Sequence, residues 1–187
     1  MTYVYGTEEY ERAYMEELAK KMESHPPPYV YLSVEWVGLY EKAVREDAYY
    51  REAAKDWEGS VALQVEANPE YGIDTDIFIL LDLWHGDCRR AWAVPREVGE
   101  SADYIVTGSA DRWMEVGRRK LDIIKGLMQG KLKLKGDLPT IVRNVKAATR
   151  LVEISTMVGG KYPDELSPEE VENLRAEIAD MRERFLG

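Results

Sequence analysis

The 187-residue sequence has one cysteine, Cys88, and only two histidines. A single thiol closes no internal disulfide and builds no thiolate metal site. Cys88 lies in an apolar segment and is expected to be a small buried residue. His25 precedes a proline run and His85 falls in an expected hairpin turn; neither has a partner at metal-ligand spacing, so no metal and no catalytic histidine is expected. No apolar run approaches the ~18 residues that a membrane-spanning helix needs. Gly108-Ser109 and Gly126 lack the spacing of a phosphate-cradling loop, and there is no Gly-x-Ser-x-Gly elbow. Met1-Thr2-Tyr3-Val4-Tyr5-Gly6 lacks the basic start and apolar core of a secretory signal. Phe185-Leu186-Gly187 is no lipidation or peroxisomal address. A cytoplasmic location is the expectation. Asparagine and glutamine together number five against 32 % charged residues, the composition of a heat-adapted protein.

What is present is acid. The formal charge of −10 excludes a general nucleic-acid binder, which needs a positive surface. The charge is uneven, however: from Asp111 to Arg150 there are 11 Lys/Arg and four Asp/Glu, a net +7 inside an acidic chain. That basic window reads either as a solvated face balanced by acidic neighbours or as an attraction for an anionic head group or membrane surface.

Apolar periodicity gives the elements. Tyr10, Tyr14, Leu18 and Met22 predict a helix from about Thr7 to Met22, stopped by His25-Pro26-Pro27-Pro28. A second helix follows Ser33, with Trp36, Val37, Tyr40, Ala43 and Val44 as its stripe. Val61, Leu63, Val65 and Ala67 alternate as a half-buried strand. Ile77 to Trp84 is apolar on both faces and reads as a central strand, paired through His85-Gly86-Asp87 with Cys88 to Val94. Pro95 to Glu100 reads as a loop and Tyr104 to Gly108 as a fourth strand. Short helices follow Ser109 and Asp122, ended by Gly117 and Gly130. Lys131-Leu132-Lys133-Leu134-Lys135 is a strand with leucines on one face, its lysines suited to a sheet edge. One long helix is expected from Leu138 to Gly159-Gly160. Ser167-Pro168-Glu169-Glu170 is a capping box opening a last helix striped by Val171, Leu174, Ile178, Met181 and Phe185. That narrow stripe docks on the same chain or pairs two chains. Strands grouped between helices make an α+β fold with a mainly antiparallel sheet.

Chemistry is sparse. Asp74, Asp76 and Asp82 lie around the apolar strand; Asp74 and Asp76, on one side of an alternating segment, suit either a polar strand end or a hard cation. Trp113, Met114, Ile123, Ile124, Leu127, Met128, Leu132 and Leu134 crowd a span broken by glycines. They either fill the core or wall a pocket, where methionine adapts to irregular ligands.

One stretch carries more. Ala102-Asp103-Tyr104-Ile105-Val106-Thr107-Gly108, then Trp113, then Lys120-Leu121-Asp122, then Leu127-Met128-Gln129-Gly130-Lys131-Leu132-Lys133-Leu134-Lys135-Gly136-Asp137, resembles the sterol carrier protein type two family. The Met-Gln-Gly-Lys-Leu-Lys-Leu-Lys-Gly-Asp segment is the most specific part. Ile123 stands where the family often has proline. The resemblance covers roughly residues 56 to 158, with residues 1–160 as the domain and 161–187 as an appended helix.

The resemblance implies a five-stranded sheet covered by helices around an apolar tunnel for sterols, fatty acids or acyl thioesters, with no shared catalytic residues. Carried onto this chain, it makes Trp113, Ile124, Leu127, Met128, Leu132, Leu134, Ile141 and Val145 the tunnel wall and Phe78 and Leu80 its floor. The expectation is a non-catalytic carrier without cofactor, monomeric or homodimeric, whose partner is a lipid or fatty-acyl ligand and whose 111–150 window touches a membrane. The alternative is an interaction module with a closed core and a docking C-terminal helix.

Overall fold

The computed structural model describes residues 1–187. Helix α1 (Glu8–Ser24) begins where the Thr7 hydroxyl accepts the Tyr10 N–H, and α2 (Val34–Glu46) where Ser33 does the same for Trp36. Such caps satisfy donors that have no partner inside the helix. A short helix, α3 (Ala48–Ala53), is not among the expected elements; it is capped by Asp47. Strands β1 (Glu58–Val65), β2 (Ile77–Trp84) and β3 (Asp87–Val94) form a meander. The expected loop after Pro95 contains a helical turn, α4 (Arg96–Glu100), leading to β4 (Tyr104–Gly108).

Next come α5 (Ala110–Gly117), α6 (Ile123–Met128), β5 (Lys133–Lys135), α7 (Leu138–Arg143), α8 (Val145–Val158) and α9 (Pro168–Met181), which ends in a π-turn over Arg182–Leu186. The single long helix expected from Leu138 is broken at Asn144. There the backbone leaves helical geometry and the side-chain amide donates to Thr140 O at 2.9 Å.

The sheet order is β3-β2-β1-β4-β5. All neighbours are antiparallel except β1 and β4. Strand β1, not β2, holds the middle position, and β5 is an edge, as its lysines require. The parallel β1–β4 pair needs a crossover, and residues 95–103 supply it along one face of the sheet. Gly99 is obligatory on that path: a Cβ there would lie 2.3 Å from a Phe78 ring carbon.

Alternation along the strands splits the core in two. Val61, Leu63 and Val65 of β1, Ile77, Ile79, Leu81 and Leu83 of β2, and Val106 of β4 share the face covered by α2, α5 and α8. The opposite face carries Phe78, Trp92 and Val94, packed against Tyr10 and Tyr14 of α1 and against Met181 and Phe185 at the C-terminus. The last helix therefore docks its stripe on its own chain, with Leu174, Met181 and Phe185 buried.

Candidate functional site: an apolar cavity over the sheet

The first face is not fully packed. Between the sheet and its helical cover lies a cavity of about 110 Å³. Its floor is Val61 and Leu63 with Ile79, Leu81, Leu83 and Val106. Trp36, Val37 and Tyr40 of α2 and Ala147, Ala148, Leu151 and Val152 of α8 form the roof. Tyr50, Trp57, Tyr31, Trp113, Val116, Leu127 and Ile141 complete the wall. Besides the tyrosines and tryptophans, only Asn144 and Ser155 in the lining are polar.

Five of the six aromatic wall residues, all but Tyr50, tie their polar atoms to backbone. Trp113 Nε1 donates to Gln64 O at 3.0 Å and Tyr31 OH to Trp113 O at 3.3 Å. Trp36 Nε1 donates to Gly159 O at 2.6 Å, Tyr40 OH to Leu151 O at 3.0 Å, and Trp57 Nε1 to Gly59 O at 2.9 Å. Each bond fixes a ring to backbone and leaves hydrocarbon facing the void, because a buried donor must find a partner. A water needs ~10–15 Å³ and two to four polar partners; this cavity has the room, and few polar side chains, Asn144, Ser155 and Tyr50 among them, line it. Left unfilled, it costs roughly 2–3 kcal/mol at the ~24 cal/mol per Å³ of core cavities.

One charged cluster straps the cover. Asp47 caps α3 and accepts from Arg150 of α8 through Nε at 3.0 Å and Nη2 at 2.7 Å, while Arg150 also reaches Glu153. The Asp47 side chain is only 12 % exposed. Its hydrogen bonds from Arg150 hold its carboxyl below the usual range, against the opposing effect of burial.

Of the expected wall, Trp113, Leu127 and Ile141 line the cavity. Leu132 is buried in the surrounding core, and Ile124 and Leu134 pack against that core without reaching the void. Four expectations need correction. Phe78 and Leu80 are not the floor: strand alternation sends them to the opposite face, and Ile79 and Leu81 take their place. Met128, 70 % exposed, and Val145, 41 % exposed, lie outside the cavity on the surface.

Tyr31, Trp36, Val37 and Tyr40 are among the wall residues that sequence reasoning did not assign. For Trp36, Val37 and Tyr40 the stripe of the second helix was the only signal, and it marks burial without saying against what.

The acidic residues near β2 are engaged in pairs. Asp74 pairs with Arg175, Asp82 with Arg89 at 2.7 Å, and Asp76 accepts from Gln64 and Ala67 N at 2.9 Å and from Arg96 at 3.4 Å. His85 bonds Glu58 at 2.8 Å. Cys88 is buried, and desolvation pushes its thiol up to about 12, far from a reactive thiolate.

With the geometry in place, comparison with known proteins decides the family. A profile of the SCP-2 sterol transfer family matches residues 40–148. The chain belongs to that family. A crystal structure of sterol carrier protein 2 superposes with TM-score 0.61 at 36 % identity, covering 66 % of this chain and 95 % of that one. A solution structure from Thermus thermophilus, described as possibly a sterol carrier protein, gives TM-score 0.62 at 36 % identity, covering 69 % and 90 %. No curated protein matches. The family region begins at residue 40 rather than the expected 56, so it takes in the end of α2, and it closes at residue 148 inside α8. The C-terminal helix α9 lies beyond it.

Proposed function

We propose that this member of the SCP-2 sterol transfer family is a non-catalytic carrier or binding protein for a lipid or other long-chain apolar ligand held in the cavity over β1, β2 and β4. The observation that carries the reading is the cavity itself, large for a core defect and lined by hydrocarbon with every indole donor tied to backbone. Each CH2 moved into it from water contributes ~0.8 kcal/mol, and filling it relieves the cost of the void. The wall we assign to the ligand is Trp113, Leu127 and Ile141 with Tyr31, Trp36 and Tyr40.

The surface beside the cavity supports transient membrane contact. Helices α6, α7 and α8 present Leu127, Ile141 and Ala147 inward. Outward they expose Met128, Val142 and Val145 among Lys125, Lys131, Arg143 and Lys146. Exposed apolar side chains ringed by cations fit an anionic bilayer surface. No helix is long and apolar enough to cross a membrane.

The direct test is native purification, organic extraction and mass spectrometry of the extract. A lipid at one equivalent per chain is the expected result. An extract without lipid, together with no uptake of a fluorescent fatty acid or of a fluorescent long-chain alcohol, overturns the reading and moves weight to an interaction module.

A further inference from the structure

A second cavity, of about 60 Å³, adjoins the first. It lies between the segment leading into α2 and the appended helix α9, outside the family region at both ends of its wall. Tyr31, Leu32 and Trp113 line both cavities and form the partition between them. Leu32 adopts φ 65°, a left-handed backbone that a branched side chain rarely takes, so the partition holds local strain.

Unlike the first cavity, this one has a charged wall. Glu35 of α2, Glu177 of α9 and Lys21 of α1 face it. Glu35 is 7 % exposed and forms no hydrogen bond or ion pair with the protein, while its oxygens stay accessible at the cavity it lines. A carboxylate in so small an opening has room for a donor that the protein itself does not supply. Its place in the first turn of α2 favours negative charge through the helix dipole, yet that does not supply a hydrogen bond. Glu177 is half-buried, and burial, then the nearby Glu35 charge, raises its carboxyl above the ordinary range against Lys21 and His25. Two carboxylates against one ammonium leave the chamber net negative.

We propose that this chamber is a head-group site: a ligand's polar end, a hydrogen-bond-donating amine or alcohol, sits at Glu35 and Glu177 while its chain passes the Tyr31–Leu32–Trp113 partition into the larger cavity. The inference rests on the carrier reading and names the class of ligand. Donation to Glu35 supplies the missing partner, whereas an anionic head adds a third negative charge to a low-dielectric space and is repelled. The appended helix thus converts an apolar cavity into one that selects its ligand by head group.

The experiment is calorimetric titration of the full chain at pH 7 with dodecylamine, dodecanol and dodecanoate, each below its micelle concentration. Dodecylamine and dodecanol are expected to bind at least tenfold tighter than dodecanoate. Because the whole chain carries −10, a surface attraction for the amine is separated by Glu35→Gln with Glu177→Gln. That double variant should bring amine and dodecanoate to within threefold while dodecanol binding changes less than twofold. Should it fail to fold, the half-buried Glu177→Gln alone is the probe, with a partial loss of the preference expected.

Equal binding of all three chains, or a preference for dodecanoate, overturns the head-group site and leaves the carrier reading standing. An amine preference unchanged in the variants overturns it as well. Binding of none of the three overturns the carrier reading and the head-group site with it.

Discussion

The two faces of the sheet are built from the same strands and pack in opposite ways. On one face, Tyr14 stacks on Trp92 at 4.6 Å between ring centroids, while Tyr10 and Phe185 meet edge to face at 5.6 Å. Arg90 lies over the Trp92 ring, so that face is closed by aromatic contact. On the other face, comparable aromatic residues stand around a void, with Tyr31, Trp36, Tyr40, Trp57 and Trp113 hydrogen-bonded to backbone. Large rings alone therefore do not decide whether a core closes. Rings lie against one another on both faces, with Trp36 stacking on Tyr40 at 5.1 Å and meeting Tyr31 edge to face at 4.9 Å beside the cavity. The sheet surface they face differs: aliphatic, with Val61 and Val106, under the cavity and aromatic, with Phe78 and Trp92, on the closed side. The closed face supplies stability from which the open face can keep a costly cavity.

Trp92→Ala should separate the two faces most strongly. On the close-packed face the lost ring contacts should cost ~3–5 kcal/mol, read as a lower midpoint in chemical unfolding, while ligand affinity per folded molecule stays unchanged. A fall in affinity as large as the fall in stability would mean that the two faces are one cooperative site.

How much of this was legible follows from which signals are local. The caps Thr7, Ser33 and Ser167 and the stripes behind them marked α1, α2 and α9, because a cap and a 3.6-residue period are written within a few residues. The leucine–lysine alternation placed β5 at an edge. The family resemblance pointed to a sheet under helices, and Trp113, Leu127 and Ile141 do face the cavity. The faces of β2 were illegible, since Ile77 to Leu81 is apolar throughout and a strand buried on both sides has no period to read. Hence Phe78 and Leu80 were assigned to the cavity in place of Ile79 and Leu81. The break at Asn144 was hidden because the apolar period runs through it from Ile141 to Val145. Tyr31 and Leu32 lie in irregular chain, where no periodicity reports a wall.

A smaller effect tests the strap across the open face. Asp47→Asn removes a charge-assisted pair with Arg150 while keeping a residue able to cap α3; the expected loss is ~1–2 kcal/mol at pH 7. The Asp47 carboxyl is held below its ordinary value by Arg150. Its contribution is therefore fully present above the unfolded-state value of ~3.9 and disappears as pH falls through the folded one. Wild type and variant should differ most above pH 5 and converge in strong acid. A difference that stays constant down to pH 2 would show that the carboxylate charge is not what Arg150 contributes.

The smallest change in stability should come with a large change in binding. Ala147 is buried on α8 and lines the cavity roof. Ala147→Leu places three further carbons into space that costs roughly 24 cal/mol per Å³ when unfilled. The same substitution in the aromatic face would overpack and destabilise by ~1–3 kcal/mol. Over the cavity it should instead leave stability unchanged or raise it by up to ~1 kcal/mol, while long-chain ligand uptake falls at least tenfold. Lost stability in the Ala147→Leu chain would mean the cavity has no slack for a side chain. Full uptake by that chain would put the ligand elsewhere. The expected pairing of higher stability with lost binding is specific to a void kept for a ligand, since a packing defect without function has no binding to lose.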